Sequence, residues 1–292
     1  MMRKNVRTAE PKNTIADSHL HAEFYEQLGQ IYPESEVVHK DKSNPASRYQ
    51  TVLRELLPFA ADGKRLLDLG CNDGVYSVPY CSSGGNAVWV DISPSLIAEA
   101  SKSALQNGVG HKCGFVTAEI DSPSLVEKLG RQTFDVVLLS EVLEHILDQR
   151  QALKNIHDLL SNRSTFILTT PTPLFEHLVT FSPGYVERLL LGKKLLEEQV
   201  IDTTKVHVLA EHGISHFLYR HDGYYPLALG KYIESFGFIC DKMYTISFPH
   251  WVRNRLLYPL RELGMDVEMI ARRIPVVKIF GATIISRFIE VR

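Results

Sequence analysis

The run Arg65-Leu-Leu-Asp-Leu-Gly-Cys-Asn-Asp-Gly74 constrains this chain more than any other stretch: a short apolar segment carries a carboxylate at Asp68 and then turns through two glycines. An apolar run of that length closed by glycine reads as a buried strand feeding a tight turn, because glycine accepts the left-handed backbone such turns need. A second run, Ala87–Asp91, ends on an acid. Together they describe a nucleotide pocket. Backbone at the first turn comes close to a ligand, and the acid after the next strand is placed to accept both hydroxyls of a ribose.

The segments around this pair alternate in the same way. Strands are expected over Arg65–Leu69, Ala87–Asp91, Lys112–Thr117, Phe134–Ser140 and Ser164–Thr170, with helical patterns between them, and such alternation means parallel strands joined by right-handed crossovers. The helix after Asp91 starts with Ser93 as N-cap and Pro94 at its first position and stops near Asn107-Gly108. Pro79 and the Ser82-Ser-Gly-Gly85 cluster cut the helix after the first strand short. Beyond Pro171 the pattern loosens, then resumes with a helix Leu227–Phe236, a strand Phe238–Ser247, a helical stretch around Trp251–Arg273 and a strand near Ala282–Phe288. The two closing strands read as a hairpin at the edge of a mixed sheet. The expected fold is α/β: a Rossmann-like, seven-stranded, mostly parallel sheet with helices on both faces and an inserted lid. The expected division is an N-terminal helical segment over 1–60, covering cofactor or substrate, and a main domain over 61–292 with the lid at about 171–222.

Composition narrows the function. Of 292 residues 45% are hydrophobic, enough for a large two-sided core, and the net charge of −2 offers a polyanion no general attraction. Nucleic acid is therefore disfavoured as a partner and a small-molecule acceptor favoured. Cys71, Cys81, Cys113 and Cys240 are too widely spaced for a zinc knuckle or a disulfide framework, Met1–Glu10 lacks an apolar signal core, and no stretch approaches the roughly 20 apolar residues of a spanning helix. A reducing cytoplasm is the expected compartment. The dinucleotide fingerprint Gly-x-Gly-x-x-Gly is absent, since Gly70-x-x-x-Gly74 lacks the middle glycine that admits a pyrophosphate, so the pocket suits a cofactor without phosphates.

Asp68-x-Gly70-x-x-x-Gly74, Asp91, and Phe134-Asp-Val-Val-Leu-Leu-Ser-Glu-Val-Leu-Glu-His145 resemble the first, second and fourth motifs of class I S-adenosylmethionine-dependent methyltransferases, over about Asn44 to Phe238. The resemblance implies S-adenosyl-L-methionine as cofactor. It implies that Gly70, Cys71, Asn72 and Gly74 line its methionine and ribose side, that Asp68 helps receive the amino group, that Asp91 holds the ribose hydroxyls and that Ile92 packs on adenine. Ala118 and Glu119 would frame the adenine edge and Ser140 would line the cofactor side of the fourth motif. Asp68 also reads as a turn-capping carboxylate and Asp91 as a helix cap. Asn44-Pro-Ala-Ser-Arg48-Tyr49 is similar to the Asn-Pro-x-x-Arg segment of ubiquinone-biosynthesis O-methyltransferases, which gives Arg48 the cofactor's carboxylate; the alternative is an arginine on a helix surface.

Glu141-Val-Leu-Glu144-His145 resembles the Glu-x-x-Glu-His metal site of those enzymes and of small-RNA 3′-end 2′-O-methyltransferases. If the segment forms a helical turn, Glu141, Glu144 and His145 share one face, and with one more histidine they would hold Mg2+ or another divalent metal. The fourth ligand would come from His207, His212, His216 or His221, with His212 and His216 best placed and His216 taken as the ligand. The alternative leaves the metal out, with Glu141 on the cofactor and His145 as base.

The expected reaction is methyl transfer to an oxygen of a small acceptor, with His145 and Glu141 as catalytic residues. The rivals are an N- or C-methyltransferase of a natural-product pathway, a 2′-O-methyltransferase of RNA, and a cofactor-binding protein without catalysis. Asp17–Gln30 reads as an amphipathic helix folded over the cofactor or packed on the sheet. The amphipathic Trp251–Tyr258 stretch reads as core, with a membrane surface or a second subunit as the alternative contact.

Overall fold

The computed structural model describes residues 47–172, 224–247 and 283–291, together with Ala22, Glu23, Tyr25 and Glu26. The expected Trp251–Arg273 helix, the lid beyond Thr172 and the four downstream histidines lie outside the described residues.

The chain enters through helix α1 (Arg48–Ala61), capped by Ser47, whose hydroxyl accepts from the Gln50 amide at 3.2 Å. Strand β1 (Arg65–Leu69) follows and leads through the glycine turn to the short helix α2 (Ser77–Ser82), which ends at the expected cluster. Then come β2 (Asn86–Asp91), α3 (Pro94–Gln106), β3 (Cys113–Thr117), α4 (Leu125–Lys128), β4 (Phe134–Ser140), α5 (Gln149–Leu159) and β5 (Leu160–Pro171). Helix α3 begins as the sequence predicts, with the Ser93 hydroxyl accepting from the Leu96 amide and Pro94 at its first position. Helix α6 (Pro226–Glu234), β6 (Phe238–Ile246) and β7 (Thr283–Glu290) complete the described elements.

The seven strands form one sheet in the order β3-β2-β1-β4-β5-β7-β6. The first five run parallel; β7 lies antiparallel between β5 and β6. This is the expected mixed sheet, and the hairpin strands take the edge in reversed order. The strand β5 starts four residues before the predicted Ser164, because Leu160 pairs with Phe134 and an irregularity follows before Val136 meets Thr165. Continuous apolar runs in β1 and β4 are buried on both sides, as a parallel sheet requires. One face packs Leu67, Leu69, Val137 and Leu139 against Leu153 and Ile156 of α5. The opposite face packs Leu66, Val136 and Leu138 with Val52 and Leu56 of α1 and Ala100 of α3.

Helix α1 is also held by charge. Buried Glu55 accepts from the Tyr244 hydroxyl at 2.9 Å, pairs with Lys242, and lies 3.3 Å from Arg287, while Arg287 reaches Asp241 at 2.5 Å. The helix is thereby fixed to β6 and β7, and its opening residue Arg48 is aimed at the end of β4. Among the described residues no helix is long and apolar enough to cross a membrane.

Candidate active site

Five parallel strands end at one edge of the sheet, and that carboxyl edge is where open α/β sheets bind ligands. The structure brings there the residues the sequence singles out: Asp68 and the 70–74 turn after β1, Asp91 and Ile92 after β2, Ala118 and Glu119 after β3, and Ser140 with Glu141 after β4.

The turn is fixed from three sides. The amides of Gly70 and Cys71 both donate to the Val90 carbonyl, at 2.8 and 3.0 Å, and Gly74 donates to Cys71 at 2.9 Å. Gly70 has φ +73° and Gly74 φ +85°, a backbone that side chains rarely adopt. Space forbids a side chain as well: a Cβ on Gly70 would lie 2.4 Å from Val142, and one on Gly74 would lie 2.2 Å from the ring of fully buried Trp89. Asn72, at φ +50°, takes the left-handed conformation that asparagine tolerates, and its side chain accepts from the Asp73 amide at 2.8 Å. Cys71 is buried as expected of a small wall residue.

Two buried carboxylates tie the turn down. Asp68 accepts from the Ser77 hydroxyl at 2.5 Å, which joins the end of β1 to the first residue of α2. Burial raises its pKa to about 7, with Asp91 adding to the rise and the Ser77 bond opposing it. The Asp91 oxygens accept from the Asn72 amide at 2.9 Å and the Ser93 amide at 3.0 Å. Burial moves Asp91 upward too, against those amide bonds, and Glu26 adds to the rise. Each carboxylate oxygen retains a further lone pair for a hydroxyl. Asp91 thus ties two turns together and keeps acceptor capacity for a further donor. Ala118 sits against it, its amide donating to the Asp91 carbonyl at 2.9 Å; Glu119 and Ile92 are half-buried beside them.

The segment after β4 requires a correction. The sequence reading places Glu141, Glu144 and His145 on one helical face, but only Leu143–His145 forms a turn, a single 3-10 one, and Glu141 precedes it with φ +56°. That left-handed step comes from tertiary contacts: the Glu141 amide donates to the Thr169 carbonyl at 2.9 Å, and Val142 presses on Gly70. Glu141 then points to Arg48, 3.1 Å away, and accepts from the Thr169 hydroxyl at 2.9 Å; Ser140 lies 3.0 Å from the same hydroxyl. Glu144 is buried and accepts from the Thr170 hydroxyl at 3.0 Å, with its other oxygen 4.0 Å from Nε2 of His145. Desolvation and the neighbouring Glu141 raise the Glu144 pKa to about 8.

Among the described residues no three His, Cys, Asp or Glu side chains gather around one point, and Glu141 is paired with Arg48. His216 and its alternatives lie outside the described residues, and a divalent ion has no support here.

Sequence reasoning missed several contributors. Ser77, Trp89, Val142, Thr169 and Thr170 each touch a candidate residue. The threonine pair ending β5 was a readable signal, being polar residues at a strand's carboxyl end. From the N-terminal segment, Glu26 accepts from the Ser93 hydroxyl and from the Ser95 amide at 3.3 Å, while the Tyr25 ring meets His145 edge-on with centroids 5.7 Å apart.

A glycine turn closed to side chains and a buried acid after the second strand sit at the carboxyl edge of a doubly wound α/β sheet. The family model described as "Methyltransferase domain" matches residues 42–222. The chain belongs to that family, and its fold is that of class I S-adenosylmethionine-dependent methyltransferases. It is 37% identical over 113 residues to a ubiquinone biosynthesis O-methyltransferase of Ruegeria pomeroyi, a match covering 39% of this chain and 42% of that protein. A protein of the same name from Pseudomonas aeruginosa is 32% identical over 108 residues, covering 37% and 44%. The match thus spans less than half the length of these curated relatives. Among solved structures, magnesium protoporphyrin IX methyltransferase from Synechocystis PCC 6803, with bound SAH, aligns over 94% of this chain and 99% of its own, at 16% identity and a TM-score of 0.56. That likeness concerns the fold.

Proposed function

We propose that the protein methylates a hydroxyl oxygen of a small-molecule acceptor, with His145 as the proton-accepting residue. The reading rests on one observation: His145 closes the turn that follows Val142, whose side chain presses on Gly70. The names of the curated relatives, O-methyltransferases, support oxygen as the acceptor atom. The donor supplies an activated sulfonium methyl group, and what is asked of the protein is to hold acceptor and donor in line at near-attack distance.

Each residue then has a task. Gly70 and Gly74 bring backbone to the cofactor, Asp91 accepts its ribose hydroxyls, and Arg48, poised on Glu141, offers its guanidinium to the cofactor carboxylate. Glu144, 4.0 Å from Nε2 of His145, has its pKa raised by burial and by Glu141, and His145 is the side chain that would take the acceptor proton. Tyr25 and Glu26 bridge from His145 to Ser93, which supports a cover over the cofactor by the N-terminal segment. The stretch 173–223 leaves and rejoins at one point, as the Tyr224 amide donates to the Pro171 carbonyl at 3.0 Å. That point is the carboxyl end of β5, where a lid would meet the acceptor.

The test offers S-adenosylmethionine with phenolic, alcoholic and amine acceptors and locates the transferred methyl group by mass spectrometry. Methylation of a hydroxyl, reduced about 10²–10⁴-fold in His145→Ala with S-adenosylhomocysteine binding unchanged, is the expected result. Transfer to nitrogen alone, or an unimpaired His145→Ala, refutes the proposal.

A further inference from the structure

Two thiols outside the site face each other across the fold. Cys81, fully buried, lies near the end of α2; Cys113, half-buried, opens β3; their sulfurs are 3.6 Å apart. Lys112 anchors the same junction, its Nζ donating to the Cys81 carbonyl at 3.0 Å, and Cys113 also lies 3.2 Å from the Val109 carbonyl. A disulfide needs its sulfurs about 2.05 Å apart, so the pair stands one small movement from bonding.

We propose that Cys81 and Cys113 form a redox-responsive pair which closes to a disulfide with a peroxide as oxidant, and that closure loosens the cofactor turn. Cys113 meets the oxidant first because it is the more exposed. Its contact with the Cys81 sulfur and the Lys112 charge hold its thiol below the usual range, against the opposing effect of burial, and the lowered value favours the nucleophilic thiolate. Its sulfur attacks a peroxide oxygen, the O–O bond breaks, and hydroxide leaves as water, giving a sulfenic acid. The Cys81 sulfur then attacks that sulfur, the S–O bond breaks, and a second water departs with the Cys81 proton. In sum, two thiols and one peroxide yield a disulfide and two waters, the peroxide taking both electrons.

The link to the cofactor is mechanical. Strand β3 is locked to β2 over five registered pairs from Ala87–Cys113 to Asp91–Thr117, whereas α2 has six residues and no side-chain cap at its start. Helix α2 therefore yields when the sulfurs close. Its first residue, Ser77, holds Asp68, so the shift is delivered to the end of β1 and the turn that follows.

The experiment treats the full chain with hydrogen peroxide and follows free thiols, peptide mapping and S-adenosylhomocysteine affinity. Loss of two thiols, a Cys81–Cys113 peptide lighter by two hydrogens, and a severalfold weaker affinity restored by dithiothreitol are expected. Cys113→Ser, at a half-buried strand start, should keep both its fold and its affinity under peroxide. Four unaltered thiols, oxidation falling on Cys71 in place of the pair, or a Cys81–Cys113 bond with unchanged affinity would each overturn the proposal.

Discussion

Gly74→Ala isolates what the 70–74 turn demands. Two costs add at this position. A residue with a Cβ at φ +85° loses about 1–2 kcal/mol to the left-handed backbone. The new methyl would also stand 2.2 Å from Cζ3 of Trp89, which is fully buried and must move, and such overpacking costs about 1–3 kcal/mol. The sum is roughly 2–5 kcal/mol of stability, which urea denaturation would register as a midpoint about 1 M lower for a slope near 3 kcal/mol per M. Gly63→Ala is the matched control, since Gly63 has φ +68° with nothing within 4 Å of a Cβ and should lose only the backbone share. The excess at Gly74 belongs to Trp89. Combining Gly74→Ala with Trp89→Leu, which removes the ring, should recover that excess as a coupling of about 1–3 kcal/mol between touching residues. If Gly74→Ala costs no more than Gly63→Ala, Trp89 does not shape the turn and the reasoning fails.

S-adenosylhomocysteine should raise the melting temperature of the wild-type protein, and Asp91→Ala should lose most of that rise; an undiminished rise would reduce Asp91 to its ties to Asn72 and Ser93. Glu144 and Asp68 have folded pKa values of about 8 and about 7, above their unfolded ones, so each is most favourable when protonated. Stability should therefore fall between about pH 4.5 and 8, at up to about 1.4 kcal/mol per pH unit for each group that titrates only in the unfolded chain. Glu144→Gln should flatten that slope and stabilise the protein above pH 8; an unchanged slope in unfolding curves taken across this range would mean Glu144 is ionised when folded. Dialysis against EDTA should leave cofactor binding and turnover intact, and a loss reversed by magnesium, manganese or zinc would restore the metal reading of Glu141, Glu144 and His145.

Most of the strand edges, and the gathering of Asp68, the 70–74 turn and Asp91 at one edge of the sheet, were legible because they follow from local rules. Apolar runs bounded by glycine and acid mark β1, β2 and β4, and Ser93-Pro94 marks the start of α3. The conformation of Glu141 was not legible. Glutamate has no preference for φ +56°, and the step is imposed by Thr169 and by the crowding of Val142 on Gly70, contacts made by residues far apart in sequence. Helical spacing therefore misled at Glu141-Val-Leu-Glu-His145. The order of the closing strands was equally hidden, because alternating patterns state that β6 and β7 pair but not which of them joins β5. Ser77 and Glu55 belong with these: each is an ordinary polar residue in sequence and acquires its role only when Asp68, or Lys242, Tyr244 and Arg287, arrive beside it.

The placement of β7 between β5 and β6 has a bearing on how the protein is made. During synthesis β1 to β5 emerge first and β6 later, yet β6 pairs only with β7 among the described strands, and the exposed edge of β5 waits for the same partner. Pairing Thr165 with Ile289 closes a loop of more than a hundred residues, the kind of non-local contact that slows folding. Until residue 290 has cleared the ribosome, the nascent sheet presents an unpaired, largely apolar edge at Phe166–Leu168, and Glu55 lacks Arg287. The carboxyl edge of the first five strands and helix α1 are thus synthesised early but secured late, and in the interval the unpaired edge is open to aggregation.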